Sequence, residues 1–317
     1  MNKFLKTSVI IPLQIIQSIK PKLMTSKSEK LMIVAYQGID GAYSHLACKT
    51  VFPDYQALAC ENFQTAIKLV EKGGADFAMI PLENSTAGRV EEIYRLLPKT
   101  NLNIIGEHFE PVNHCLLALP GIKLEQIKTV SSHPQALAQC FHRLDSLGIT
   151  PLVAIDTALS AKELSAKRDS AALYGSHGAI ASTLAAELYN LTIVQENFQD
   201  IVGNTTRFII LAKSPLMTDY DSKHDYITSI LFSVRNIPAA LYKALGGFAT
   251  NGINMIKLES YMDGGTMEAS HFHIDIAGHH QQQRMKNALE ELRFFAKEVR
   301  ILGSYPAHKY RKKYEFV

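Results

Sequence analysis

A chain of 317 residues has the length of about two domains, and 47% hydrophobic against 20% charged residues excludes a disordered or fibrous polypeptide. With 33 Lys and Arg against 30 Asp and Glu the net charge is +3, and no basic block is interleaved with aromatics, which argues against nucleic acid and for a small-molecule partner. Cys48, Cys60, Cys115 and Cys140 form no CxxC pair, so neither a zinc knuckle nor a disulfide framework is expected, and a reducing cytoplasm fits.

Residues 1–30 are read as an extension outside the fold. Two lysines precede an apolar stretch that Pro12, Gln14 and Gln17 break, which is too short for a membrane span and lacks a small-residue cleavage pair. Translation beginning at Met24 or Met32 is an alternative. From Leu31 the chain alternates short apolar runs with helix-period segments. LMIVAY (31–36), FAMI (77–80), NIIGEHF (103–109), HCLLALP (114–120), TVSS (129–132), LVAI (152–155), AALYG (171–175), TIVQENF (192–198) and RFIIL (207–211) read as strands. Apolar residues at i, i+3, i+4 and i+7 predict helices at Phe63–Val70 behind an Asn62 cap, at Val90–Leu97 and at Leu137–Leu144. The order is that of an α/β domain, whose ligands gather beyond the carboxyl ends of strands, where helix N-termini present free N–H groups.

Polar clusters fall at those junctions. Gly38 and Gly41 follow the first strand and allow close backbone approach, with Ser44 just behind. Glu83-Asn84-Ser85-Thr86 follows FAMIPL, Ser132-His133-Pro134 opens the helix carrying Gln139, and Asp156-Thr157 follows LVAI. Helix capping accounts for any one of these. Together with Asn204-Thr205-Thr206-Arg207-Phe208 at the mouth of FIILA, they hold more hydroxyl and amide donors than capping needs. A hydroxyl beside a guanidinium suits chemistry on a carboxylate.

GIDGAYSHLA, AMIPLENSTAGRV, SSHPQALAQC, DTALSAKEL and NTTRFIIL, in this order and spacing, resemble prephenate dehydratase from about Ile33 to the end of the chain. The resemblance implies a two-lobed catalytic domain like the type II periplasmic binding proteins (31–212), with substrate between lobes that the chain crosses near 110–113 and 188–192. It implies loss of the ring hydroxyl and of the ring carboxylate as carbon dioxide, driven by aromatisation, with no cofactor and no metal. By that likeness Thr206 matches the essential threonine and donates to the leaving hydroxyl, as a general acid or by hydrogen bonding. Arg207 would hold a substrate carboxylate, and Asn84, Ser85, Thr86, Ser132, Gln139 and Thr157 would bind the rest. His133 is either a second proton donor or a ring packed under its helix start, with the structural role preferred.

A polar linker (213–225) precedes ITSILFSV, PAALYKALGGFATNG, INMIKLESYM, MEASHFHIDIAG, QQRMKNALEELRFFAKEV and RILGSYP, which read as βαββαβ, a ferredoxin-like order, over 226–305, with a tail at 306–317. Met285, Ala288, Leu289, Leu292, Ala296 and Val299 form one stripe of its second helix. This unit resembles the ACT regulatory domain of the same family, which implies phenylalanine as effector and a homodimer or homotetramer. The effector site would comprise Ala239, Ala240, Leu241, Asn254, Glu259 and Ser260. It departs from the family pattern, since Ala239 stands for a glycine and Tyr261-Met262 for an arginine and a proline. His271 and His273 are read as a solvated strand face rather than a metal site. Two rival functions remain: arogenate dehydratase, and a non-catalytic amino-acid-sensing module.

Overall fold

The alternating apolar and helix-period segments fold as three sheets. The computed structural model describes residues 31–170, 175–216, 220–235, 237–262 and 271–314. The first lobe contains β1 (Ile33–Gln37), α1 (Tyr43–Val51), β2 (Gln56–Cys60), α2 (Phe63–Glu71), β3 (Phe77–Asn84), the short β4 (Gly88–Arg89), α3 (Glu91–Leu96) and β5 (Asn103–Pro111). The second lobe holds β6 (Cys115–Ala118), β7 (Thr129–Ser132), α4 (Pro134–Gln139), α5 (Phe141–Ser146), β8 (Thr150–Val153), α6 (Thr157–Ala166), β9 (His177–Ala181), α7 (Thr183–Leu188) and β10 (Thr192–Gln195), in the order β10-β6-β9-β7-β8. Then β11 (Thr205–Ala212) re-enters the first sheet between β3 and β5, antiparallel to both, for an order β2-β1-β3-β11-β5 with β4 on β3.

The lobes are thus joined twice, as expected, but one crossing is displaced. The first runs through 112–114. The second runs through 196–204, not 188–192, because the turn after α7 stays inside the second lobe and returns β10 antiparallel to β6. The strand expected at 171–175 falls largely outside the described residues, and the strand that pairs here is β9. The helix expected over Leu137–Leu144 is two helices, interrupted at Cys140, where φ is −116° and ψ 11°. Asn62 caps α2 as anticipated, accepting from Thr65 N at 2.8 Å.

The third sheet comprises β12 (Tyr226–Val234), β13 (Met255–Tyr261), β14 (His271–Ala277) and β15 (Ala296–Pro306), with α8 (Ala240–Thr250) and α9 (Gln283–Phe295). Its order β13-β14-β12-β15, antiparallel throughout, is the ferredoxin-like βαββαβ arrangement. The apolar stripe of α9 ends at Phe295, so Ala296 and Val299 belong to β15. The run ITSILFSV is buried on both sides. Ile230 and Phe232 pack under α8 and α9 with Phe248, Met285 and Leu292, while Ile227, Leu231 and Tyr305 join Ile93, Tyr94 and Ile209 of the first lobe. Strands covered on both faces lose the polar alternation. At Gly303 of β15 the backbone lies so close to the Ile104 carbonyl of β5 that a Cβ could not be accommodated.

Candidate active site

Between the lobes lies a cleft of about 550 Å³, lined by residues of both and walled at its back by the paired crossings. The crossings are zipped together: Val112 N donates to Asn204 O at 2.8 Å, Phe198 N to His114 O at 2.7 Å, and His114 N to Gln199 Oε1 at 2.9 Å. Asn84, Gln139, Thr157 and Thr206, four of the nine site residues expected from sequence, line this cleft.

A single run of side-chain hydrogen bonds crosses it. Asn84 Oδ1 accepts from Thr86 N and Ala87 N, both at 2.9 Å, which fixes the orientation of its amide. Its Nδ2 therefore donates to Asn204 Oδ1 at 2.6 Å and to Thr206 Oγ1 at 2.9 Å. Asn204 Nδ2 in turn donates to Gln139 Oε1 at 3.0 Å, which also accepts from His114 Nε2 at 2.9 Å. Burial lowers the His114 pKa, despite the opposing Gln139 bond, so the ring is neutral with its proton on Nε2. His114 Nδ1 is then an acceptor 2.9 Å from the Tyr43 hydroxyl, whose proton is shared with Asn113 O at 2.8 Å. Because Thr206 Oγ1 is an acceptor toward Asn84, its own proton is free for a ligand.

Tyr43, Ser44, His114 and Asn204 complete the cleft and were not anticipated as its members, although Ser44 and Asn204 stand in the clusters noted above. Tyr43 and Ser44 open α1, whose N-terminus has no side-chain cap and no acidic residue in its first turn. Such an end favours an anion. Among the described lining residues the fixed cation is Arg89. Glu110 stands directly across from Thr206 in the β11–β5 pairing, buried and bonded by His108 Nε2 at 2.7 Å.

Several expectations fail on geometry. Arg207 does not reach the cleft: adjacent residues of a strand point to opposite faces, so Thr206 and Arg207 cannot share it. The Arg207 guanidinium is buried, donating from Nε to Glu107 Oε2 at 2.9 Å, from Nη1 to Asp275 Oδ2 at 2.6 Å and to Glu83 Oε1 at 2.9 Å, and from Nη2 to Tyr305 Oη at 3.0 Å. Ser132 is fully buried and donates to Ile180 O at 2.6 Å, a strand-to-strand tie within the second lobe. Ser85 is engaged by the backbone of Thr205, whose N donates to its Oγ at 3.0 Å, and Thr86 is exposed outside the lining. The Asn84 segment closes a hairpin into β4 rather than starting a helix, since α3 begins at Glu91 with no side-chain cap. His133 caps α4, accepting from Gln135 N at 3.2 Å, the structural role preferred for it. Asp156 is a cap as well, accepting from Ala158 N and Leu159 N. Gly41, at φ +90°, packs closely against Ala185 of the other lobe.

In the third sheet Ala239 adopts the left-handed conformation, φ +59° and ψ 28°, immediately before α8. Ala240 is buried, Leu241 packs on the core beneath α8, and Asn254 is exposed at the far end of that helix. Glu259 Oε2 and Ser260 O both accept from Arg89 Nη1 at 3.0 Å, tying β13 to the rim of the cleft. His271 and His273 are not a solvated face. His273 is fully buried against Tyr94 of the first lobe, with Nε2 3.4 Å from Asp275.

Comparison with known proteins follows the same lines. The family model for prephenate dehydratase matches residues 34–216. The bifunctional N-acyl-homoserine lactone acylase/prephenate dehydratase of Komagataeibacter europaeus is 44% identical over 89% of this chain and 98% of that protein. Arogenate dehydratase/prephenate dehydratase 1 of Arabidopsis thaliana is 40% identical over 91% and 77%. Among solved structures, prephenate dehydratase from Arthrobacter aurescens in complex with L-Phe superposes with a TM-score of 0.78 at 30% identity, covering 87% of this chain and 90% of the other. With a family model over more than half of its length and relatives of 40% identity or more along most of it, the chain belongs to the prephenate dehydratase family, a family of lyases.

Proposed function

We propose that this chain converts prephenate to phenylpyruvate, carbon dioxide and water on the route to phenylalanine, with Thr206 as the group that acts on the leaving hydroxyl. The observation that carries the reading is the Asn84–Thr206 bond, which makes Thr206 Oγ1 an acceptor and turns its proton toward the ligand. As the bond from ring to carboxylate carbon breaks, its electron pair enters the ring and the ring hydroxyl departs from the opposite carbon. Thr206 stabilises the departing oxygen by hydrogen bonding, which suits an aliphatic hydroxyl better than full proton transfer, and the oxygen leaves as hydroxide that takes its proton from solvent to become water. The open end of α1 supplies positive potential for a substrate carboxylate, Gln139 and Thr157 supply neutral donors, and Arg89 at the rim is already paired with Glu91 at 2.7 Å and Glu259 at 3.0 Å. Assaying purified protein for phenylpyruvate from prephenate tests this directly. Parallel turnover of arogenate, which carries an amine for the ketone, separates the nearest rival. A cytoplasmic location accords with this chemistry, and no helix among the described residues is long and apolar enough to cross a membrane.

We further propose that residues 226–305 are an ACT domain that binds phenylalanine, the ligand present in the complex of the Arthrobacter aurescens enzyme with L-Phe. The support is geometric. Ala239 and Asn254 lie at opposite ends of α8, about 16 Å for 11 residues, so one small ligand cannot touch both within a single chain. A site using both requires two chains. β12 is flanked by β14 and β15, while β13 ends the sheet with Met255, Ile256 and Leu258 partly exposed. An edge of that composition favours pairing with a second copy, hence a homodimer or homotetramer.

A second reading, hydrolysis of an N-acyl amide, rests on the relative from Komagataeibacter europaeus and on one pair outside the cleft. Ser131 Oγ lies 3.0 Å from His177 Nε2, with His177 Nδ1 held 2.7 Å from Thr129 Oγ1, an order of nucleophile, base and orienting group. Hydrolysis of an N-acyl-homoserine lactone that survives Thr206→Val and is lost in Ser131→Ala would establish it.

A further inference from the structure

The two strands that carry the candidate active site present a second set of side chains on their reverse face. In the β11–β3 pairing Thr206 stands opposite Asn84 and Arg207 opposite Glu83, so the first pair shares one face and the second pair the other. A register shift between Arg207 and Phe208 sets this end of the strands apart from the rest of the ladder. Both ion pairs that this reverse face makes with the third sheet are short. Arg207 binds Asp275 of β14 at 2.6 Å, and Glu83 binds Lys257 of β13 at 2.6 Å. Arg207 and Asp275 are both fully enclosed.

Breaking one partner of such a pair leaves a buried charge without compensation, so the pair constrains position strongly even where its net contribution to stability is small. Asp275 is itself held from behind by Ser229. Thr206 and Asn84, bonded at 2.9 Å on the opposite face of the same two strands, are backed by these pairs. This inference rests on the dehydratase reading above. We propose that Arg207 and Glu83 are positioning residues through which the βαββαβ unit sets the geometry of Thr206 and Asn84. A displacement of β13 and β14, the strands that carry Lys257 and Asp275, would move the reactive hydroxyl with no ligand entering the cleft. Allosteric control requires such an element, held in two arrangements to which an effector binds unequally.

The test uses the full chain with Asp275→Asn and, separately, Lys257→Met, which strips the second tie without leaving Arg207 unpaired. Amide exchange is followed in segments 81–86 and 204–208, and kcat and KM for prephenate are measured in parallel. Faster exchange in both segments is expected, with kcat reduced between about tenfold and 100-fold, the scale of a misplaced reacting group. KM should stay within about twofold, because the groups that bind substrate are untouched. Asp275→Glu, which keeps the charge, should recover part of kcat. Unchanged exchange in the two segments in a folded variant overturns the proposal whatever the substrate proves to be, and so does altered exchange with wild-type kcat. Should the wild-type chain fail to turn over prephenate, the dehydratase reading fails while exchange still decides the coupling.

Discussion

Thr206 accepts from Asn84 Nδ2 at 2.9 Å, so its own proton is left for another acceptor, in the proposed reaction the departing hydroxyl. Thr206→Val, nearly isosteric, should lower kcat by about 10² to 10⁴ with little change in KM, since only a transition-state contact is removed. Steady-state turnover of prephenate measures it, and a folded variant with wild-type kcat would take Thr206 out of the mechanism. Asn84→Asp is a sharper probe. A carboxylate can only accept, so Thr206 would donate to that new carboxylate instead of to the substrate, and kcat should again fall although the side chain is no smaller. Four of the nine expected site residues are legible in the sequence because hydroxyl and amide types at strand ends signal donors. Arg207 is misplaced by that reasoning because neighbours in sequence are assigned to one cleft, against the two-residue period of a strand. Tyr43, within the motif GIDGAYSHLA but opening a helix, and His114, at the head of the apolar run HCLLALP, are not singled out by their residue types.

At the scale of elements, α8 begins on a strained residue. Ala239 at φ +59° carries the left-handed penalty of about 1 to 2 kcal/mol that glycine avoids. Ala239→Gly should therefore raise the stability of the βαββαβ unit by about 1 kcal/mol in urea unfolding, offset in part by glycine's larger unfolded-state entropy. If the same turn holds phenylalanine, calorimetric affinity should rise too. Gly303→Ala should act in the opposite sense. Its Cβ would strike the Ile104 carbonyl, a backbone atom that cannot rotate aside, so β15 must part from β5. Faster proteolysis within 213–225 than in the wild-type chain would register that separation. The elements themselves are readable where apolar period and length agree, as in β3, β5, β11, β12 and α2. QALAC escapes a reading as β2 because its two alanines and a glutamine carry no strand signature, and parallel pairing to β1 supplies what propensity does not. The second crossing is displaced for a related reason. Nothing local distinguishes a helix-to-strand turn inside a lobe from one that leaves it.

For the whole molecule, the contact between the first lobe and the third sheet joins an apolar cluster to ion pairs of two buried carboxylates, Asp275 and Glu107, and the half-buried Glu83, and it should depend on pH. Burial would raise the Asp275 pKa, but the Arg207 guanidinium holds it well below the usual carboxylate range; Glu107 is likewise lowered against burial, by Arg207 and Arg311, and Glu83 by Lys257 and Arg207. Arg311 reaches Glu107 at 2.6 Å from the C-terminal segment, which extends the same network past β15. A carboxylate with a depressed folded pKa contributes stability that is complete above its unfolded value, about 4, and is lost as pH falls through the folded value. The interface should therefore hold from pH 7 down to about 4 and weaken steadily below that, as the unfolded chain takes up protons the folded one excludes. Enclosed pairs are poorly screened, so added salt should change the transition little. Urea midpoints for release of the third sheet, followed by tail and interface amide exchange between pH 7 and pH 3, measure this. Asp275→Asn should flatten the acid limb, because one of the three shifted carboxylates is gone. A midpoint that stays level into acid would mean that apolar contacts such as Leu231 and Tyr305 against Ile93 and Ile209 hold the two units together unaided, and one that falls strongly with salt at pH 7 would mean that exposed rather than enclosed charge pairs carry the contact.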